Sequence, residues 1–202
     1  LSANETPIGP SPEAVAAYSD LAKELHRYPD GDAYALRHAI GERFGCDPEN
    51  IVCGAGSDEL IALLVKSYAG PGDEVLYSRH GFLMYPISAQ SAGATPVAAA
   101  EANYTTDVDA MLSKVTERTR MVFIANPNNP TGSYISSDEM RRQRDGLRDD
   151  ILLVIDSAYA EYVTRNDYAA GSEMVETGDN VVMLRTFSKI FGLAALRLGW
   201  AY

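Results

Sequence analysis

Apolar positions along this chain first recur at helical intervals and then break into short runs. Ser11, followed by Pro12 and Glu13, has the form of a helix start, and the spacing predicts a helix from residue 12 to about His26. The turn Tyr28-Pro29-Asp30-Gly31 interrupts it. Leu36, Ile40 and Phe44 then stand four residues apart, which predicts a second helix over 32–44. From Ile51 onward, short apolar runs at 51–53, 74–77, 95–98, 121–125, 151–155, 181–185 and 196–202 read as strands. Helical stretches at 58–68, 83–91, 107–114 and 138–147 separate them. Leu152-Leu153-Val154-Ile155 is apolar on every position, as suits a strand covered on both sides. Strand–helix alternation therefore predicts an α/β fold: a mostly parallel seven-stranded sheet with helices on both faces.

The opening segment, 1–12, is rich in Asn, Pro and Gly and reads as an extended arm, leaving 13–202 as one layered domain. The chain stops at Tyr202 directly after an apolar run, so a longer polypeptide is expected. No apolar run is long enough to span a bilayer and the opening residues carry no signal-peptide pattern, so a cytoplasmic protein is expected.

Composition changes this picture mainly by exclusion. A formal net charge of −11 argues against nucleic acid, whose phosphates need a basic face. The acidic residues are scattered, as on a solvated surface. Cys46 and Cys53 lack Cys-x-x-Cys spacing and read as structural thiols, and the dispersed His26, His38 and His80 give no metal-ligand pattern.

In an open parallel sheet, ligands gather beyond the carboxyl ends of the strands, so the residues after each run carry the candidate chemistry. Gly54-Ala55-Gly56-Ser57-Asp58-Glu59 leads into a helix whose first free N–H groups can hold a phosphate. It matches neither a dinucleotide fingerprint nor a P-loop, and taken alone it is better explained as an ordinary turn with Ser57 as helix N-cap. Asn126-Pro127-Asn128-Asn129-Pro130-Thr131-Gly132 holds consecutive amide side chains on a stiffened backbone. Asp156, with Tyr159 nearby, ends a fully apolar strand, where a carboxylate is costly unless a cation faces it; a helix cap is the alternative. Thr186-Phe187-Ser188-Lys189, with Arg197 eight residues on, can join an amine nucleophile to a phosphate clamp, though a single lysine is ordinarily a surface residue.

Taken in order and separation, these motifs resemble the fold-type I aminotransferases that use pyridoxal 5'-phosphate (PLP), and most nearly the histidinol-phosphate aminotransferase family. The resemblance runs from Asn4-Glu5 through Trp200. It implies that Lys189 carries the cofactor covalently and later shuttles a proton, and that Asp156 pairs with the pyridinium nitrogen. Asn129 and Tyr159 correspond to residues bonding the ring's 3' oxygen. Ser57, Asp58, Thr186, Ser188 and Arg197 correspond to a phosphate cup, and Phe82 to an aromatic stacked on the ring. Tyr28 corresponds to a tyrosine reaching the phosphate across a dimer interface, which implies a homodimer with shared sites.

Ser157 stands where many relatives have Glu, at a position with no known cofactor contact. The family's small C-terminal domain, with the arginine that grips the substrate, is absent from the 202 residues. The implied reaction converts L-histidinol phosphate and 2-oxoglutarate to imidazole acetol phosphate and L-glutamate in histidine biosynthesis. Aromatic amino-acid aminotransferases and a threonine-phosphate decarboxylase share the scaffold and are the alternatives, beside a catalytically silent binding module.

Overall fold

The computed structural model describes residues 3–202, so Leu1 and Ser2 of the expected arm lie outside it. The predicted sheet is present, with all seven strands. In chain order the strands are β1 (Val52–Gly54), β2 (Glu74–Ser78), β3 (Thr95–Ala99), β4 (Glu101–Ala102), β5 (Thr105–Thr106), β6 (Thr119–Ala125), β7 (Leu152–Asp156), β8 (Val181–Thr186) and β9 (Gly199–Ala201). Seven of them form one sheet in the order β1-β9-β8-β7-β6-β2-β3, while β4 and β5 form a separate two-stranded ribbon. The pairs β2–β3, β2–β6, β6–β7 and β7–β8 are parallel, and β9 runs antiparallel to both β8 and β1.

The helices are α1 (Pro12–Leu21), α2 (Tyr34–Phe44), α3 (Ser57–Tyr68), α4 (Met84–Ser91), α5 (Val108–Ser113), α6 (Ser137–Asp145) and α7 (Ser172–Thr177). Strand alternation sorts the core onto two faces. Met121 and Phe123 of β6, with Leu152 and Val154 of β7, pack with Leu60, Ile61 and Val65 of α3 and Tyr85 and Ala89 of α4. Val122, Ile124, Leu153 and Ile155 point the other way, into a cluster with Val108 and Met111 of α5 and Met140 of α6. Covering on both faces is why the stretches 121–125 and 152–155 carry no polar residue.

Several expected boundaries move, each for a local reason. The first helix stops at Leu21 and continues only as a 3₁₀ turn over Ala22–Glu24. It buries no residue, so no packing extends it beyond its own weak propensity. The second helix begins at Tyr34 rather than residue 32, because the Asp30 carboxylate accepts the N–H groups of Asp32 and Tyr34 and Ala33 turns left-handed at φ 50°. The run 196–202 is a strand only over Gly199–Ala201, since Arg197 adopts φ 50° and breaks it. Neither α7 nor the β4–β5 ribbon was expected. The turn between β4 and β5 places Asn103 and Tyr104 at φ 51° and 60° without any glycine, so the usual hairpin signal is missing.

Among the described residues no helix is long and apolar enough to cross a membrane. No group of three or more His, Cys, Asp or Glu there could hold a metal ion.

One close approach joins β9 to the start of α3. A Cβ on Gly199 would stand 2.6 Å from the Ser57 nitrogen and 2.7 Å from the Gly56 carbonyl carbon, both backbone atoms that cannot swing aside. Gly199→Ala is therefore expected to lower stability by about 2 kcal/mol through overpacking. Gly70→Ala, where an added Cβ meets nothing within 4 Å, should change it by less than about 0.5 kcal/mol. Urea unfolding of both variants checks the contrast.

Candidate active site

Four strands of the sheet, β2, β6, β7 and β8, end on the same side, and the loops after them enclose a cavity of about 540 Å³. At its floor Asp156 closes β7 and is only 4% exposed. The Tyr85 hydroxyl donates to its Oδ2 at 2.8 Å and the Ala158 N–H donates to its Oδ1 at 3.2 Å. Burial pushes Asp156 up to about 6, against these two hydrogen bonds, which favour the ionised form. Tyr85 is itself buried, and burial with the adjacent carboxylate drives its phenol well above the ordinary range, so it remains a donor. Its ring stacks on Phe123 at 4.6 Å, which fixes the hydroxyl's aim.

Lys189 follows β8 and lines the same cavity as Asp156. Its ammonium donates to the Ala3 carbonyl at 3.0 Å and lies 5.6 Å from the centre of the Tyr159 ring. The Tyr159 hydroxyl accepts from Asn4 Nδ2 at 2.8 Å. The arm thus crosses the cavity mouth, and Gly9 meets the loop after Lys189 so closely that a side chain at Gly192 would collide with its backbone.

The opposite end is built for an anion. α3 starts after Gly56, whose φ of 80° turns the chain so that the first helical N–H groups are free. Gly56, not Ser57, is the N-cap, and Ser57 is the first helical residue. Glu59 bends back to accept the Ala55 N–H at 2.7 Å, so its carboxylate is engaged outside the cavity. Arg197 donates to Ser188 Oγ at 3.3 Å and to the Ala194 carbonyl at 2.9 Å, and its guanidinium lies 3.6 Å from Asp58. A side chain on Gly56 would occupy the place of that guanidinium. Thr186 accepts the Ser188 N–H at 3.1 Å, which turns the chain between the strand end and the lysine.

Phe82 and Asn129 complete the walls. Asn126 and Asn128, the other amides of this segment, are used internally. Asn126 exchanges hydrogen bonds with Ile135 at 3.1 and 2.9 Å, and Asn128 donates to the His80 carbonyl and to Thr131. Tyr28 is fully exposed and does not line the cavity. Sequence reasoning missed Tyr85, which at one helical turn from Phe82 reads as an ordinary core aromatic, and Ala3, which offers only a backbone carbonyl. The donor set fits a ligand with an anionic group at one end, a cationic ring atom at the other and a flat face between.

A family model for aminotransferase class I and II matches residues 1–202. The histidinol-phosphate aminotransferases of Rhodospirillum centenum and Paramagnetospirillum magneticum are 63% and 62% identical to the chain over all 202 residues, or 56% of each relative. The chain therefore spans about half the length of the curated relatives it matches. Histidinol-phosphate aminotransferase from Sinorhizobium meliloti, solved in complex with pyridoxal-5'-phosphate, superposes with a TM-score of 0.92 at 30% identity, covering 98% of this chain and 54% of that one. A Thermus thermophilus aspartate aminotransferase mutant, 22% identical with a TM-score of 0.88, shares the fold.

The raised Asp156 has a defined consequence for the ligand-free protein. Its folded value of about 6 lies above the ordinary 3.8, so the folded state holds the extra proton between those values. Its contribution to stability is complete below about pH 4 and is lost as pH rises through 6, by up to about 3 kcal/mol. Asp156→Asn removes this titration. The difference in unfolding free energy, variant minus parent, should grow from pH 4 to pH 7 in urea titrations, and a constant difference contradicts the assignment.

Proposed function

The chain belongs to the class I and II aminotransferase family, and from that premise we propose that its protein is a PLP-dependent histidinol-phosphate aminotransferase. It would pass the amino group of L-histidinol phosphate to 2-oxoglutarate, giving imidazole acetol phosphate and L-glutamate. The observation that carries the reading is the meeting of Lys189, Asp156 and the α3–Arg197 anion cup in one cavity. The substrate choice is supported by the relatives at 63% and 62% identity. On this reading residues 13–202 form the cofactor-holding domain, 1–12 the arm, and the compartment is the cytoplasm.

When bound, PLP supplies a protonated pyridine ring that takes up the electron pair left as a substrate's α-proton departs. The chain's own groups hold it and move the proton. Asp156 keeps the ring nitrogen protonated; a cation beside a desolvated carboxylate relieves the penalty that otherwise pushes Asp156 upward. Asn129 and Tyr159 donate to the ring's 3' oxygen, and Phe82 covers a ring face. The free N–H groups of α3, the Ser57, Thr186 and Ser188 hydroxyls and the Arg197 guanidinium bind the phosphate, with Asp58 steadying Arg197 at 3.6 Å. Lys189 Nζ is the covalent attachment point. Its free amine would be the base placed to take a substrate's α-proton.

A homodimer belongs to the same reading. Val15, Tyr18 and Leu21 of α1 are more than half exposed and Tyr28 is fully so, an apolar surface a second copy can cover. Tyr28 would then reach the partner's phosphate cup.

Adding PLP should give a visible absorption band, and borohydride should leave its mass on the peptide containing Lys189. Lys189→Ala is expected to abolish the label. A label elsewhere, or the same uptake by Lys189→Ala, rejects the assignment. Turnover of histidinol phosphate exceeding that of phenylalanine at least tenfold, without CO₂ release, is the outcome expected of the whole protein.

A further inference from the structure

Outside the cavity, a buried carboxylate gathers the loop that leaves β2. Glu101, from β4, has a side chain only 3% exposed. It accepts from the Ser78 hydroxyl, from the His80 N–H at 2.9 Å and from the His80 ring at Nδ1, 2.7 Å away. Burial works against its charge, yet these donors more than offset burial and hold Glu101 below the usual carboxylate range. A carboxylate can only accept, so His80 carries a proton on Nδ1.

The contacts close into a ring. The His80 carbonyl accepts from Asn128 Nδ2 at 3.2 Å, and Asn128 donates to Thr131 at 2.8 Å. Thr131 bonds Ser133 at 2.8 Å, and Ser133 donates to the Tyr104 carbonyl at 2.7 Å. Tyr104 belongs to the turn after Glu101, and its ring lies 5.4 Å from that of His80. Two cavity walls hang from this ring of contacts: Phe82, two residues beyond His80, and Asn129, next to Asn128.

We propose that Glu101 and His80 are positioning residues for the cofactor ring, setting the separation between the Phe82 and Asn129 walls. The proposal rests on the PLP reading of the cavity. Neither side chain lines that cavity, so both act through the residues they hold. The His80 ring is half-exposed, and an exposed ion pair alone contributes little. The buried carboxylate with three donors is what makes the loop rigid.

The test compares PLP affinity and visible-band circular dichroism of bound PLP in the parent, His80→Ala, His80→Asn and Glu101→Gln. An achiral chromophore acquires dichroism from its surroundings, so the signal reads how the ring is held. His80→Ala is expected to weaken PLP binding about five- to tenfold and to reduce the dichroism with the far-ultraviolet spectrum unchanged. His80→Asn, which keeps an N–H donor near Nδ1, should restore both. Glu101→Gln is nearly isosteric and should move them as His80→Ala does, giving the same readout should His80→Ala not fold. Parent-like affinity and dichroism in His80→Ala or Glu101→Gln overturn the proposal, even if the melting temperature falls. So does His80→Asn remaining as weak as His80→Ala. A parent that takes up no PLP at Lys189 rejects the cofactor reading itself, and the positioning role with it.

Discussion

Asp156 ends β7, the fourth of seven strands, with apolar neighbours on both faces and only 4% of its surface exposed. Burying a carboxylate there is costly, and two hydrogen bonds, from Tyr85 and the Ala158 N–H, offset only part of the cost. The remainder is a standing preference for a cation in the cavity above. The packing around β7 serves that preference. Phe123 stacks on Tyr85 and holds its hydroxyl on the carboxylate, while Asn126 donates its N–H to the Asp156 carbonyl at 2.9 Å, fixing the end of β6 against β7. The unfavourable group is thereby kept in one geometry instead of being relieved by movement.

The anion end is assembled differently, from backbone. The free N–H groups of α3 face the cavity because Gly56 turns at φ 80° and because β9 can approach at Gly199. Arg197 arrives from a left-handed turn, and its guanidinium fills the space a side chain at Gly56 would take. Helix dipole and guanidinium act on the same point, and Asp58 keeps the cation from swinging out into solvent. Cation-seeking and anion-seeking ends therefore belong to separate strands, with Lys189 on the loop between Thr186 and Arg197.

The arm ties the two ends together. Asn4 bonds Tyr159 and Ala3 bonds Lys189, so a segment remote in sequence stands over the reactive amine. The α1 helix that follows buries nothing of its own, in contrast to α3, where Ile61 and Val65 are wholly enclosed.

The chain's own pattern determined the layered sheet. Runs such as 152–155 leave no polar face, and turn residues and helix starts between them dictate parallel pairing. The position of each chemical group after a strand end was equally legible, since a parallel sheet sends those ends to one side. That Lys189, Asp156 and the α3 start line one cavity required the strand order, which local pattern does not encode. Tertiary structure alone also decided that Asn126 and Asn128 bond internally and that Gly56 caps α3. It alone gave Tyr85 and Glu101 their partners, 71 and 23 residues away in sequence. Hydrogen bonds between groups that distant depend on how the strands are ordered, whereas periodicity reports only on neighbours a few residues apart.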